Sequence, residues 1–196
     1  QVFDYTFNRF QYPNMTIRLT GRHQVLNAAT ALTALTVLKS QGVPMTETSI
    51  YRGMERATWP GRIEVLQKNP YIILDGAHNA SGASALRYAL EEYFVEKPIT
   101  MVIGILKDKE VKTILEELCP LANSVIVTKP DSHRAMEPYE LAEMVDGYCP
   151  NVVIENCVDR AVKLGLSQAD KDGVLLFTGS LYLVGRVRHF LSYLPR

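Results

Sequence analysis

The sequence predicts an α/β fold: a Rossmann-like, mostly parallel sheet with one antiparallel strand, preceded by a small β element and two helices. Three observations carry this. After residue 70, short apolar runs alternate with amphipathic stretches of helical period. The runs, such as Ile99-Thr100-Met101-Val102-Ile103 and Val174-Leu175-Leu176-Phe177, are nearly continuously apolar. Strands covered by helices on both faces read that way. Before residue 58 the rhythm differs, with aromatic and β-branched residues first and two helical patterns after them.

In chain order, residues 1–20 read as two or three short strands broken by Tyr12-Pro13-Asn14. Val25, Ala28, Ala29, Leu32, Leu35 and Leu38 then recur at helical spacing, and Gly42 and Pro44 stop that helix. A second short helix is expected over 48–57, with Ile50, Met54 and Ala57 on one face. Thr58-Trp59-Pro60-Gly61 breaks the pattern and marks the expected domain boundary, giving segments 1–58 and 59–196. Strands at 63–66 and 71–74 are joined by Gln67-Lys68-Asn69-Pro70, too short for a parallel crossover, so this pair is expected to be antiparallel. Helices are predicted at 81–93, 110–118, 138–147, 158–168 and 181–192, with strands at 99–105, 124–128, 151–154 and 174–178 between them.

Composition narrows the function classes. With 196 residues, 47% of them hydrophobic, the chain can bury a sizeable core: one large domain, or one domain and part of another. Lys and Arg number 21, as do Asp and Glu, which argues against a nucleic-acid or anionic-membrane partner. Cys119, Cys149 and Cys157 are odd in number and widely spaced, so neither a disulfide framework nor a zinc pattern is present, and a reducing, cytoplasmic setting is expected. No secretory leader is read, and the longest apolar helical stretch, 25–38, is too short and too interrupted to cross a bilayer. The opening at Gln1, inside a strand-like run, is expected of a piece of a longer protein.

In an open α/β sheet, ligands bind beyond the carboxyl ends of the strands. The loops expected there are Asp75-Gly76-Ala77-His78-Asn79, Gly104-Ile105-Leu106-Lys107-Asp108-Lys109, Thr128-Lys129-Pro130-Asp131-Ser132-His133-Arg134 and Thr178-Gly179-Ser180. Asp75 ends an apolar strand, where a carboxylate must be hydrogen-bonded or face a ligand, and a sugar diol suits it. Its plainer reading is that it ties down its own loop. His78 and Asn79 precede a helix N-terminus, which favours negative charge, and Ser180 occupies a similar place; Asn79 and Ser81 can equally be simple caps. Arg62 suits a phosphate as a bidentate cation, or a surface ion pair. Asn27 carries an amide able to read an adenine edge, or to bond a neighbouring backbone. His23 and His133 carry weaker signals, and His189 is expected to be exposed. No G-x-x-x-x-G-K-[ST] loop, G-x-G-x-x-G fingerprint or metal-spaced cluster occurs, so no metal ligand is assigned.

Taken in order, Gly21-Arg22-His23-Gln24-x-x-Asn27-Ala28, Trp59-Pro60-Gly61-Arg62, Asp75-Gly76-Ala77-His78-Asn79, Gly104-x-x-Lys107-Asp108-Lys109 and Thr178-Gly179-Ser180-Leu181-Tyr182 resemble the C-terminal part of the folylpolyglutamate synthase/dihydrofolate synthase family, within the Mur ligases. The resemblance covers essentially the whole chain. It implies that 1–58 is the tail of a P-loop ATPase domain and 59–196 a glutamate ligase domain. It implies an enzyme that uses ATP and Mg²⁺ to convert the carboxylate of a folate, or of dihydropteroate, to an acyl phosphate, which the amine of L-glutamate attacks. Carried over by residue, Asn27 matches an adenine contact, Arg62 a phosphate contact and Asp75 a nucleotide contact at the ribose. His78 matches a catalytic residue near the transferred phosphate and the glutamate, and Ser180 a glutamate-side residue. The P-loop and metal ligands of the family are not in this chain. Two rivals stand beside this reading: another Mur-type amino-acid ligase, and a non-catalytic module binding a nucleotide or an amino acid.

Overall fold

A computed structural model describes residues 1–193. The chain divides into two compact units, Gln1–Trp59 and a second beginning at Pro60.

In the first unit, β1 (Val2–Phe7) and β2 (Phe10–Thr16) pair antiparallel, followed by α1 (Arg22–Ser40) and α2 (Glu47–Arg56). The expected break at Tyr12-Pro13-Asn14 is not there. The turn is Asn8-Arg9, with Asn8 at φ 53°, and β2 runs through Pro13. A proline is tolerated because a two-stranded sheet has only edge strands. A bulge at Pro13-Asn14, with Asn14 at φ 55°, puts Tyr12 and Met15 on the same face, where they pack with Ile17, Ala28, Leu32, Ile50 and Met54. Val25 and Leu35 join that core partly buried, while Leu38 faces out. Thr46 caps α2 by accepting a hydrogen bond from the Ser49 amide at 3.1 Å.

The second unit is a six-stranded sheet in the order β3-β4-β8-β5-β6-β7, formed by Glu64–Lys68, Tyr71–Leu74, Val174–Thr178, Ile99–Ile103, Ser124–Val127 and Val152–Ile154 respectively. β3 pairs antiparallel with β4 and every other pairing is parallel. β3 starts one residue later than the pattern suggests because Ile63 takes φ 46°, and it runs on to Lys68, leaving Asn69-Pro70 as the turn. β5 stops at Ile103 rather than 105, although Ile105 and Leu106 stay buried.

The helices are α3 (Ala80–Tyr93), α4 (Val111–Leu118), α5 (Pro138–Asp146), α6 (Val158–Gln168) and α7 (Leu181–Ser192). Alternate residues of each buried strand feed opposite cores. Ile73, Met101, Ile103, Val125, Val127, Val174 and Leu176 pack against α3, α4 and α5. Ile72, Leu74, Val102, Ile126, Leu175 and Phe177 pack against α6 and α7. The central strands are therefore apolar on both faces, which is why they read as unbroken runs.

This layering positions the site. β8 lies between β4 and β5, but its connection leaves toward α7 on one face while theirs leave toward α3 and α4 on the other. In open α/β sheets, ligands bind at the carboxyl ends of the strands where connections part in this way.

Candidate functional site

Four loops lie along the carboxyl edge of the sheet. The register places Leu74 beside Phe177 and Ile103 beside Thr178. The Asp75 amide donates to the Phe177 carbonyl at 3.0 Å, and the Gly104 amide donates to the Thr178 carbonyl at 3.3 Å. Asp75, Gly104 and Thr178-Gly179-Ser180 are thus neighbours at one end of the sheet. Gly179 has φ +100°, and a Cβ there would stand 2.8 Å from the Gly104 carbonyl oxygen, so only glycine fits. Across the sheet's other connections, the Lys107 amide donates to the Arg134 carbonyl at 2.8 Å, and the Arg134 guanidinium bonds Asp108 Oδ2 at 3.0 Å. Those contacts join the loop after β5 to the loop after β6.

Asp75 is 5% exposed. Its Oδ2 accepts from the Ile63 amide and its Oδ1 from the Ala77 amide, each at 2.8 Å. Burial pushes the carboxyl up from 3.8 to about 6, and the two amides, Arg62 and His78 restrain the rise. In the structure, the plainer reading of Asp75 holds: it ties its own loop, and it also ties the turn carrying Arg62. A second tie joins the same two loops, since the Gly76 amide donates to the Gly61 carbonyl at 2.8 Å.

Arg62 is half-buried, and among the described residues its guanidinium makes no hydrogen bond or ion pair. His78 is also half-buried. Its Nδ1 lies 2.7 Å from the Gly76 carbonyl oxygen, which can only accept. The Nδ1–H form is therefore the bonded one, and Nε2 is the free ring nitrogen.

Asn79 and Ser180 are caps. Asn79 Oδ1 accepts from the Gly82 amide at 2.8 Å and from the Ser81 hydroxyl at 3.2 Å, so Asn79 rather than Ser81 caps α3. Ser180 Oγ accepts from the Tyr182 amide at 3.2 Å and the residue is buried. Capping by a serine oxygen leaves its hydroxyl proton for another acceptor.

Asn27 lies in the first unit, exposed on α1 beside Leu26, and its amide nitrogen donates to Gln24 Oε1 at 3.1 Å. The alternative of a buried amide bonded to backbone does not hold. His133 is exposed on the loop after β6, and His189 is exposed with its ring edge-on to Tyr193 at 4.9 Å.

Three structural features escaped the sequence pattern. One is Glu64, whose carboxylate accepts from the Gly61 amide at 2.9 Å. The second is the left-handed backbone of Ile63. The third is a separate cleft of about 410 Å³ at the ends of β6 and β7, lined by Lys129, Asp131, Asp159 and Arg186 among others. Its cations are already paired, Lys129 with Glu137 at 2.6 Å and Arg186 with both oxygens of Asp159. Among the described residues, no group of three or more His, Cys, Asp or Glu is placed to hold a metal ion, and no helix is long and apolar enough to cross a membrane.

With this geometry in hand, comparison with known proteins decides the family. Residues 61–181 match the Mur ligase glutamate ligase domain. The chain belongs to the Mur ligases. Within them it is similar to the folylpolyglutamate synthase of Lacticaseibacillus casei, 31% identical over 97% of this chain and 44% of that protein. The structure of Mycobacterium tuberculosis folylpolyglutamate synthase complexed with ADP superposes with a TM-score of 0.85, at 28% identity, over 95% of this chain and 44% of that one. The bifunctional folylpolyglutamate synthase/dihydrofolate synthase of Yersinia pestis, complexed with AMPPNP and Mn ion, gives 0.81 at 25% identity, over 95% of this chain and 43% of that one. This Mur ligase chain spans 42–44% of the length of the first related proteins it matches.

Proposed function

We propose that the protein containing this chain is an ATP-dependent ligase that joins L-glutamate to the carboxylate of a folate, or of dihydropteroate, through an acyl phosphate, in the cytoplasm. This chain supplies the domain that closes over the nucleotide and holds the amino acid, with residues 1–58 as the tail of the ATPase domain. The observation that carries the reading is the Arg62–His78 pair of loops. A guanidinium that makes no hydrogen bond or ion pair among the described residues and a histidine whose Nε2 is not bonded among them sit on turns that Asp75 binds together.

These residues fit a phosphate-bearing substrate. Arg62 is a preorganised cation, able to take two phosphoryl oxygens without first breaking an ion pair. Nε2 of His78 can accept a proton from the amine of glutamate as the new amide bond forms. Asn79 directs the N-terminus of α3 toward the same loop, adding partial positive charge. Charge developing on phosphoryl and carbonyl oxygens is stabilised by such fixed donors, and closing over the site keeps water from an acyl phosphate. The lone pairs of Asp75 beyond its two backbone bonds are those a ribose hydroxyl would engage, Ser180 keeps a hydroxyl proton for a glutamate carboxylate, and Asn27 is proposed to contact adenine. ATP supplies the phosphoryl group. The described residues do not gather ligands for Mg²⁺, so its holding is assigned to the P-loop region and no step on this chain runs through it.

In the full-length protein, Arg62→Ala and His78→Ala are expected to lower folate- and glutamate-dependent ADP release by about 100-fold or more while circular dichroism stays unchanged. Wild-type rates in both variants would remove the pair from the site. ATP turnover with UDP-linked muramoyl peptides and none with folates would instead make this a cell-wall ligase of the same family.

A further inference from the structure

The turn bearing Arg62 is anchored on both sides, and one anchor comes from a residue outside the sequence motifs. Gly61, at φ +72°, has its carbonyl held by the Gly76 amide at 2.8 Å and its amide held by Glu64 Oε2 at 2.9 Å. Glu64 is itself held. Its Oε1 accepts from Arg188 Nε of α7 at 3.1 Å, and its side chain is 19% exposed. On the far side of Arg62, the Ile63 amide is bound by Asp75. Ile63 is a β-branched residue at φ 46°, a conformation that persists only where its surroundings impose it. The Asp75 bond and burial at 3% exposure do so.

We propose that Glu64, backed by Arg188, is the positioning residue that sets Arg62 for the phosphate. The inference rests on the assignment of Arg62 as a phosphate contact and extends it. Without the Glu64 carboxylate, the Gly61 amide loses its acceptor and a flexible glycine is free to turn. The arginine next to it then spends most of its time off target, without any loss of charge at the site.

Three substitutions and two readouts test this. In the full-length protein, Glu64→Ala is expected to lower kcat/KM for ATP between about 10- and 100-fold, the scale on which small misplacements act. Glu64→Gln keeps an oxygen for the Gly61 amide but loses the acceptor for Arg188, and is expected to recover part of the loss. Coupling is the decisive measure: Arg62→Ala combined with Glu64→Ala should be no worse than Arg62→Ala alone, since residues acting as one unit are not additive. In the 196-residue chain, amide exchange at Gly61 should speed by about tenfold in Glu64→Ala and stay near wild type in Glu64→Gln.

Additive losses, or a Glu64→Gln variant as poor as Glu64→Ala, would overturn the proposal, as would unchanged Gly61 exchange. If Arg62→Ala is kinetically silent, the phosphate assignment falls and this inference with it. If Arg62→Ala is impaired but the double variant is additive, only the inference falls.

Discussion

Asp75 shows at the scale of one residue how a buried charge can be both costly and needed. Its carboxyl titrates near 6 in the folded chain against 3.8 in the reference state, because burial outweighs the two amides and the neighbouring cations. Folding therefore favours the protonated form. That contribution is full below about pH 4 and is lost as the pH rises through about 6, amounting to about 3 kcal/mol over the whole range. Wild type should then lose about 2 kcal/mol of unfolding free energy between about pH 4.5 and 7.5 relative to Asp75→Asn, which cannot ionise. Denaturant curves of the two proteins measured across that interval test this, and parallel pH dependences would show that the carboxyl is not strained by burial. The ionised form recovers only part of that cost locally, through charge-assisted bonds to the Ile63 and Ala77 amides. Asp75 was legible in the sequence as a carboxylate needing partners, because it follows three apolar residues. Which partners it takes was not legible. Ile63 looks like an ordinary strand residue, and no local signal announces a β-branched residue with positive φ.

At the scale of elements, the alternation of buried strands and helices was readable almost to the residue, since each central strand must be apolar on both faces and each helix on one. The strand order was not. β8 slots between β4 and β5, a choice made by the packing of α6 and α7 on the face opposite α3, α4 and α5. The hairpin was misread for a related reason: Pro13 is a breaker in a central strand but not in a two-stranded ribbon. The tight meeting of β4, β8 and β5 makes two glycines unequal. Alanine at Gly179 would need positive φ and would bring its Cβ within 2.8 Å of the Gly104 carbonyl, which is backbone and cannot yield. Alanine at Gly76 would meet Leu181 Cδ2 at 2.3 Å, yet Leu181 is 50% exposed and can swing away. Gly179→Ala should cost about 3 kcal/mol or more and Gly76→Ala about 1 kcal/mol. Chemical denaturation orders them, and the reverse order would mean that the β8 loop is softer than its contacts indicate.

At the scale of the whole molecule, the question is how much nucleotide affinity one such rim can hold. The residues proposed for phosphate are Arg62 and His78, both half-buried, together with the first turn of α3. A single partly solvated cation contributes on the order of 1 kcal/mol, and a helix terminus about as much. Neither approaches what a backbone cradle, its lysine and a metal ion supply together, and the chain contains no P-loop sequence to form one. On the proposed assignment, the rim would add charge stabilisation to a phosphate held mainly by other groups. Residues 1–196 should accordingly bind ATP with a dissociation constant of roughly millimolar or weaker, indifferent to Mg²⁺, and with an affinity that Arg62→Ala reduces further. Titration calorimetry with and without Mg²⁺ is the check. Micromolar, metal-dependent binding would mean that this chain grips the triphosphate by itself, and a separate P-loop region would no longer be needed to hold it.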